Sequence, residues 1–346
     1  MTTASSSLPR LPQGYLSLFR SSQCTKPQFP PKDTDLSGQT AIISGANAGL
    51  GLQCARLLLD LKLSHLILAS RSLERGNAAA KSLRENHPQA TVEVEVWALD
   101  MASYPSIQDF ARRCGTLPRL DLVILNAGLV NPTFELAPTG HEEMFQVNYL
   151  STVFLSMLLL PVLAEKAPQG APGRLTVVSS GLSMHAKFAE HAADPLFPAF
   201  GKQAGFDPME RYATTKLLQH LWAYRLADFV SADDVVVNLV DPGFCKGTDL
   251  HRNASGVVKI IIASVKSLTG RSLEAGAATY IDAAVIKGKE SHGSYVMDWR
   301  IFPYGEFFYT PHCKEATRKL WDETLEALSF ADVKNILAEM KARKRD

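Results

Sequence analysis

An α/β fold is what the sequence predicts: one doubly wound parallel sheet with helices on both faces, in a single domain. Two observations carry this expectation. Short apolar runs alternate with segments of helical character along most of the chain, the pattern of parallel β-α-β units. The first run, Ala41 to Ile43, leads into Gly45, Gly49 and Gly51, and Gln53 to Leu61 follows as a helix. Strand, glycine turn and helix in that order is the setting in which a glycine motif holds phosphate. Gly45 permits a sharp turn out of the strand. The bare Gly49 and Gly51 let a ligand and a neighbouring strand come close. The helix start offers unpaired N–H groups at the positive end of a dipole. A glycine-rich turn without a ligand is the plain alternative, and the rest of the chain decides between them.

Length and composition suit such a domain. A chain of 346 residues, 46% hydrophobic and 21% charged, can bury a large core. The net charge of +1 makes no electrostatic case for nucleic acid or an anionic membrane. Cys24, Cys54, Cys114, Cys245 and Cys313 are scattered and form no C-x-x-C pair. Free thiols in a reducing, cytoplasmic setting are therefore expected, with no metal site and no disulfide framework. The longest apolar stretch, Tyr149 to Leu163, is too short for a bilayer and is interrupted by Ser151, Thr152, Ser156 and Pro161, so no integral membrane segment is expected.

Residues 1–35 read as a Ser/Pro-rich N-terminal arm and 36–346 as the folded domain. The arm carries Arg10, Arg20, Lys26 and Lys32 and no acid before Asp33, as an organelle transit peptide does. Pro9 and Pro12 would break the helix such a peptide needs, which favours a disordered or surface-wrapping arm. His65 to Ala69 is the second strand, and Ser72 is suited to cap a helix running to Asn86. Thr91 to Trp97 alternates Val92, Val94 and Val96 with Glu93 and Glu95, a strand with one wet face, as at a sheet edge. There follow a helix (Ser103 to Cys114), a strand (Asp121 to Leu125), a long helix (about His141 to Glu165) and a strand (Arg174 to Val178). A helix (about Pro208 to Phe229) and a strand (Val235 to Val240) complete the alternation. Gly293 to Met297 reads as a final strand, and residues about 316–344 as a C-terminal helix broken near Ser329.

Chemistry-bearing residues fall at the ends of these strands. Tyr212 and Lys216 stand four apart on a predicted helix and so share a face. A phenol has an unperturbed pKa near ~10, and a nearby cation lowers it toward usefulness as an acid or base. A surface pair would show the same spacing; its place between the fifth strand's serines and the sixth strand singles it out. Ser179 and Ser180 end the fifth strand, at the carboxyl edge where ligands bind in this architecture, although turn chemistry also explains a serine pair there. The second strand ends in Ala69-Ser70-Arg71-Ser72, without the carboxylate that would bind a ribose 2′-hydroxyl. Arg71 can stack on adenine and pair with a 2′-phosphate, which favours NADP(H) over NAD. Asn148 is a polar residue in an apolar helix, either hydrogen-bonded in the core or marking a local irregularity.

Together these stretches resemble the short-chain dehydrogenase/reductase family, whose fold is of the Rossmann type. Ser44-Gly45-Ala46-Asn47-Ala48-Gly49-Leu50-Gly51 is similar to its Thr-Gly-x-x-x-Gly-x-Gly, with Ser44 keeping the hydroxyl. The resemblance implies that Ser44, Gly45, Asn47, Gly49, Leu50 and Gly51 meet the cofactor, and that Asp100 binds its adenine. It makes Asn126-Ala127-Gly128 the turn that supports the sheet and passes close to the cofactor, and Pro242-Gly243 the turn beneath the nicotinamide. Ser180 would hold the substrate oxygen, with Ser179 as fallback. Tyr212 would carry the proton and also meet the cofactor, Lys216 would lower the Tyr212 pKa and grip the nicotinamide ribose, and Asn148 would hold a water relaying protons to the lysine. The family usually has a hydroxyl five residues after that proline. Gly247 stands there and Thr248 one later, so either the loop carries an extra residue and Thr248 makes the carboxamide contact, or the contact is altered. Asp35-Leu36-Ser37-Gly38-Gln39 and the Ala-Ser-Arg-Ser turn are most similar to the retinol-dehydrogenase-like branch, with its many fungal members, and Lys319-Leu320-Trp321-Asp322 to fungal members.

Substrate loops are expected at about 181–207 and 244–275. The first holds Phe188, Phe197, Phe200 and Phe206, expected to line the pocket, with His185 and His191 as loop-surface residues. In the second, Val257, Val258 and Ile260 to Ile262 form a lid or a buried helix. The implied activity is NADP-dependent interconversion of a ketone or aldehyde and an alcohol on a hydrophobic small molecule, such as a polyketide-like tailoring step in secondary metabolism. A C=C reductase on the same fold and a non-catalytic NADPH-binding sensor or scaffold are the alternatives; the latter can lose the Tyr or Lys, and both stand here. The helices at 141–165 and 208–229 make dimer faces in many relatives, so a homodimer is expected beside the monomers that also occur in this branch.

Overall fold

The computed structural model describes residues 2–11, 14, 22–88, 92–247 and 270–344. Strands β1 (Thr40–Ser44), β2 (His65–Ser70), β3 (Glu93–Ala98), β4 (Leu122–Leu125), β5 (Gly173–Val178), β6 (Val235–Val240), β7 (Tyr295–Met297) and β8 (Arg300–Phe302) form one sheet. Their order is β3-β2-β1-β4-β5-β6-β7-β8, parallel as far as β7 and antiparallel between β7 and β8. The order reverses between β1 and β4, and Ser44 stands level with Ala69 on one side and Leu125 on the other. A doubly wound sheet opens its ligand crevice there, beyond the carboxyl ends of the strands. β1, β4 and β6 are buried throughout, while the edge strand β3 exposes Glu93 and Ala98.

The helices are α1 (Ala4–Ser7), α2 (Gly49–Asp60), α3 (Leu73–Asn86), α4 (Tyr104–Cys114), α5 (Thr152–Lys166), α6 (Phe197–Phe200), α7 (Pro208–Leu226), α8 (Leu273–Ile281), α9 (Cys313–Ala327) and α10 (Val333–Arg343). The pleat divides the core. Ala41 and Ile43 face the layer of α2, α3 and α8, whereas Ile42 faces the layer of α4, α5 and α7.

Three differences from the sequence reading have physical causes. The hairpin into β8 was not foreseen, because its turn is made by Asp298 (φ +53°) and Trp299 (φ +60°). Both occupy the left-handed region that two-residue hairpin turns require and that Asn or Gly normally signals. The apolar helix is preceded by a π-helical turn, Phe145–Ser151. The joined stretch Phe145–Lys166 has 22 residues and is long and apolar enough to cross a bilayer after all. Its burial marks it as a core helix, since Thr152 to Met157 are all covered. Lastly, C-terminal helices that the sequence reading did not place there pack on the two helices expected to offer a dimer face. α10 packs on α5 and α9 on α7, the Tyr149 hydroxyl meets Thr324 Oγ1 at 2.8 Å, and Phe229 stacks on Trp321 at 4.9 Å between ring centroids.

The described part of the N-terminal segment lies along the β7 side of the domain. Tyr295 N–H donates to Ser5 Oγ at 2.9 Å, Ser5 N–H donates to Ser294 Oγ at 3.2 Å, and Ser5 is fully buried.

Candidate active site

A cavity of about 660 Å³ opens at the carboxyl ends of β1, β2, β4, β5 and β6. One wall is the glycine turn. Gly45 (φ +66°) and Gly49 (φ +56°) take backbone conformations that side chains resist. A Cβ on Gly51 would lie 2.7 Å from the Gly45 carbonyl oxygen and from Asn126 Nδ2. The N-cap of α2 is Ala48, which offers no side-chain hydrogen bond, whereas Ser72, Ser103, Asp207 and Ser272 cap α3, α4, α7 and α8. The open N–H groups at the start of α2 face the cavity and suit an anion.

Asn126 ties the first wall to the second. Its Nδ2 donates to the carbonyls of Ser44 (3.0 Å) and Gly45 (3.1 Å), and Ala127 N–H donates to Ser44 Oγ at 3.0 Å. The serine that replaces threonine therefore uses the retained hydroxyl. Tyr280 orients the amide by donating to Asn126 Oδ1 at 3.0 Å. Nothing in the sequence reading singled out this tyrosine, which lies 154 positions away.

At the far end Arg71, Arg75 and Asp100 line the cavity. The Ser70 hydroxyl donates to the Ser72 carbonyl, the Ser72 hydroxyl accepts from Arg75 N–H, and Asp100 Oδ1 accepts from Ala102 N–H at 3.0 Å. The guanidinium groups of Arg71 and Arg75 have no protein partner among the described residues, so both are available to a phosphate.

The reactive end is set by α7. Asp207 caps it through Met209 N–H (2.9 Å) and Glu210 N–H (3.1 Å), with Pro208 at the first helical position. Tyr212 and Lys216 then fall one turn apart on the cavity side. Ser180 stands beside the Tyr212 phenol in the cavity wall, and its hydroxyl accepts from Leu182 N–H at 3.3 Å. Ser179, the fallback, turns instead to His220 Nε2 at 2.8 Å. Gly128, Pro242 and Gly243 also line this end.

The electrostatics correct one expectation. Lys216 Nζ donates to the Val178 carbonyl at 2.8 Å and sits 5.8 Å from the Tyr212 ring centroid. Burial raises the Tyr212 phenol above its usual range, Ser180 opposes that rise, and the nearby Asp241 charge adds to it. Burial also brings the Lys216 ammonium down to about 7. The phenol is thus held protonated rather than lowered by its neighbour.

Asn148 lies behind Gly128, on which a Cβ would stand 3.2 Å from Asn148 Oδ1 and 3.7 Å from Lys216 Nζ. It is fully buried in the π-helical turn and does not line the cavity. Its amide accepts from Leu129 N–H and donates to the Leu129 carbonyl, both at 2.9 Å, and its own carbonyl accepts from Gln219 Nε2 at 2.6 Å. It braces the segment that follows Asn126-Ala127-Gly128. The aromatic lining also needs correction. Phe188, Phe197 and Phe200 turn into the core, with Phe200 stacked on Phe145 at 4.4 Å. Of the four phenylalanines, Phe206 alone packs beside the Tyr212 cluster. Leu129, Val130, Leu182, Met209 and Phe244 supply the apolar wall. Thr248 and the run Val257 to Ile262 lie outside the described residues.

Comparison with known proteins agrees with this geometry. The family profile described as short chain dehydrogenase matches residues 39–192. The short chain dehydrogenase/reductase mfmJ of Annulohypoxylon moriforme is 51% identical over 338 residues, 97% of each protein. The short chain dehydrogenase virL of Hypocrea virens is 39% identical over 92% of this chain and 93% of its own length. In fold, the chain is similar to L-sorbose reductase from Gluconobacter frateurii, solved with NADPH and L-sorbose, with a TM-score of 0.56 at 22% identity over 77% of this chain and 97% of that one. The chain belongs to the short-chain dehydrogenase/reductase family, oxidoreductases that bind a nicotinamide cofactor, and is most similar to its fungal members.

Proposed function

We propose that this oxidoreductase uses NADP(H) to interconvert a ketone or aldehyde and the alcohol on a hydrophobic small molecule, as a tailoring step in secondary metabolism. The observation that carries the reading is the convergence of Ser180, Tyr212 and Lys216 at one end of a cavity whose other end presents Arg71 and Arg75. The residues suit the cofactor: a cradle at Gly45 and Gly51 that a Cβ would fill, an uncapped helix start for the pyrophosphate, and two unpaired guanidinium groups for a 2′-phosphate. When bound, the nicotinamide supplies or accepts the hydride. In reduction Ser180 donates a hydrogen bond to the carbonyl oxygen, and Tyr212, kept protonated by burial, gives its proton to the oxygen as negative charge develops there. Lys216 stands one turn along α7, close to Gly128, where a ribose hydroxyl can meet its Nζ. The apolar wall from Leu129 to Phe244 supports a hydrophobic substrate, and the fungal relatives support the metabolic setting.

Purified protein and NADPH deuterated at the transferable hydrogen, added to an extract of the source organism lacking this gene, test the reading. A new deuterated alcohol is expected. Deuteride transfer to small hydrophilic sugars alone would overturn the substrate class. Arg71→Ala removes a charge-assisted contact of about 1.5–3 kcal/mol. The Kd for NADPH should then rise by roughly 10–100-fold, with the Kd for NADH nearly unchanged; equal losses for both cofactors would contradict NADP selection at this turn. The covered faces of α5 and α7 support a monomer. Sedimentation equilibrium is expected to return 37.8 kDa, and a doubled mass would place a dimer contact on another surface.

A further inference from the structure

We propose that Arg271 is a positioning residue for this reaction: it clamps the N-terminal segment at Ser22 to the Asp241-Pro242-Gly243 turn, making Ser22 and Gln23 a working wall of the cavity. The inference rests on the oxidoreductase reading above. Its evidence is separate, because Ser22, Arg271 and Asp298 belong to none of the motifs on which that reading rests.

Ser22 and Gln23 line the same cavity as Tyr212, although they stand far from it in sequence. Ser22 is held there by a buried cluster. Arg271 Nη2 donates to the Ser22 carbonyl at 2.5 Å and to Ser22 Oγ at 3.2 Å, and is ion-paired with Asp298. Ser22 Oγ in turn donates to Asp298 Oδ1 at 2.9 Å. Ser22, Arg271 and Asp298 are all at least nine-tenths buried. The other guanidinium nitrogen, Nη1, donates to the Pro242 carbonyl at 3.4 Å. The guanidinium lies so close over the next residue that a Cβ on Gly243 would sit 2.7 Å from Nη1. The backbone repeats the tie, since Arg271 N–H donates to the Phe244 carbonyl at 2.8 Å and Lys246 N–H donates to the Arg271 carbonyl at 3.0 Å.

This cluster reaches the reacting atoms through Asp241. That carboxylate lines the cavity, and its Oδ1 accepts from Gly181 N–H at 2.9 Å, which fixes the turn carrying Ser180. Asp241 and Asp298 are two buried carboxylates that repel each other, and Arg271 is the cation that offsets both. One guanidinium therefore holds the arm, the turn the family places beneath the nicotinamide, and the charge that anchors Ser180. A planar fork of five donors reaches acceptors spaced along two segments in fixed directions, whereas a lysine ammonium concentrates its three donors on one nitrogen.

The test uses the full chain with three substitutions: Ser22→Ala, Arg271→Lys and Arg271→Met. Hydrogen exchange read by mass spectrometry should speed up in the peptide covering Ser22 to Cys24 in every variant, least in Ser22→Ala and most in Arg271→Met, while α5 exchanges as in the parent. In steady state, Ser22→Ala loses hydrogen bonds but keeps the ion pair, so KM for the carbonyl substrate should rise about 3–10-fold, more than kcat falls. Arg271→Met should lower kcat/KM by about 100-fold or more, and Arg271→Lys should recover part of that loss. Unchanged exchange at Ser22 to Cys24 with an unchanged KM in Ser22→Ala and Arg271→Lys would overturn the clamp, even if Arg271→Met fails to fold. A parent protein that transfers no hydride would sink the oxidoreductase reading, while the exchange arm would still decide whether the clamp exists.

Discussion

Tyr212→Phe is expected to lower kcat for carbonyl reduction by about 10³-fold or more, with the Kd for NADPH within about twofold of the parent. The substitution removes one oxygen and keeps the ring, which packs with Val130 and Met144. Ser180 keeps its contact with Leu182 N–H, so its turn is not released. What is lost is the proton donor at the point where the carbonyl oxygen becomes negative, an effect confined to the transition state, so kcat and kcat/KM should fall together. The pH profile gives a second check. Because burial raises Tyr212 above the usual phenol range, alkaline loss of parent activity should not follow a phenol near ~10. It should follow Lys216, whose charge is present below about 7 and is lost as pH rises through that value. A Tyr212→Phe protein retaining a tenth of the parent kcat would remove Tyr212 from the chemistry.

The parts of this site that the sequence shows are those made by neighbours along the chain. The glycine turn, the Asn126-Ala127-Gly128 turn and the Tyr212/Lys216 pair each depend on spacing within one element, and the parallel sheet brings them together at one edge. The resemblance chose Ser180 over Ser179, whereas the two residues by themselves do not, because the choice depends on which hydroxyl turns to His220 and which stands beside Tyr212. Contacts between distant segments were equally hidden. Tyr280 on Asn126 and Arg271 on Ser22 join residues 154 and 249 positions apart, and no local pattern announces either. The phenylalanines after Ser180 misled for a related reason. An aromatic residue in a loop is equally ready to line a pocket or fill a core, and the neighbouring surface of Phe145 decided for the core. Asn148 shows a limit of a different kind: a polar residue in an apolar helix does not announce its partner, and here the side-chain amide pairs with the Leu129 N–H and carbonyl.

Lys216→Met should abolish most activity and stabilise the fold, two effects of opposite sign from one side chain. The folded chain holds this ammonium near 7 against an ordinary 10.5, because burial penalises the charge. At about 1.4 kcal/mol per unit, the penalty near neutral pH is roughly 4 kcal/mol. The lost hydrogen bond to the Val178 carbonyl offsets about 1 kcal/mol of the gain. Methionine fills the same volume without charge, so a net stabilisation of about 2–3 kcal/mol is expected at pH 7. The sign with pH follows from linkage. A lysine depressed in the folded state destabilises most fully below its folded value, where both states are protonated. The penalty disappears as pH rises from about 7 toward 10.5, where the unfolded chain also loses the proton. Denaturant unfolding of parent and variant at several pH values should show their difference shrinking over that interval. A constant difference, or a parent more stable than the variant at pH 7, would mean that Lys216 is not held against its charge. The activity loss follows from the role proposed above, in which a ribose hydroxyl meets Lys216 Nζ beside Gly128; a position where burial costs a charge this much marks function rather than stability.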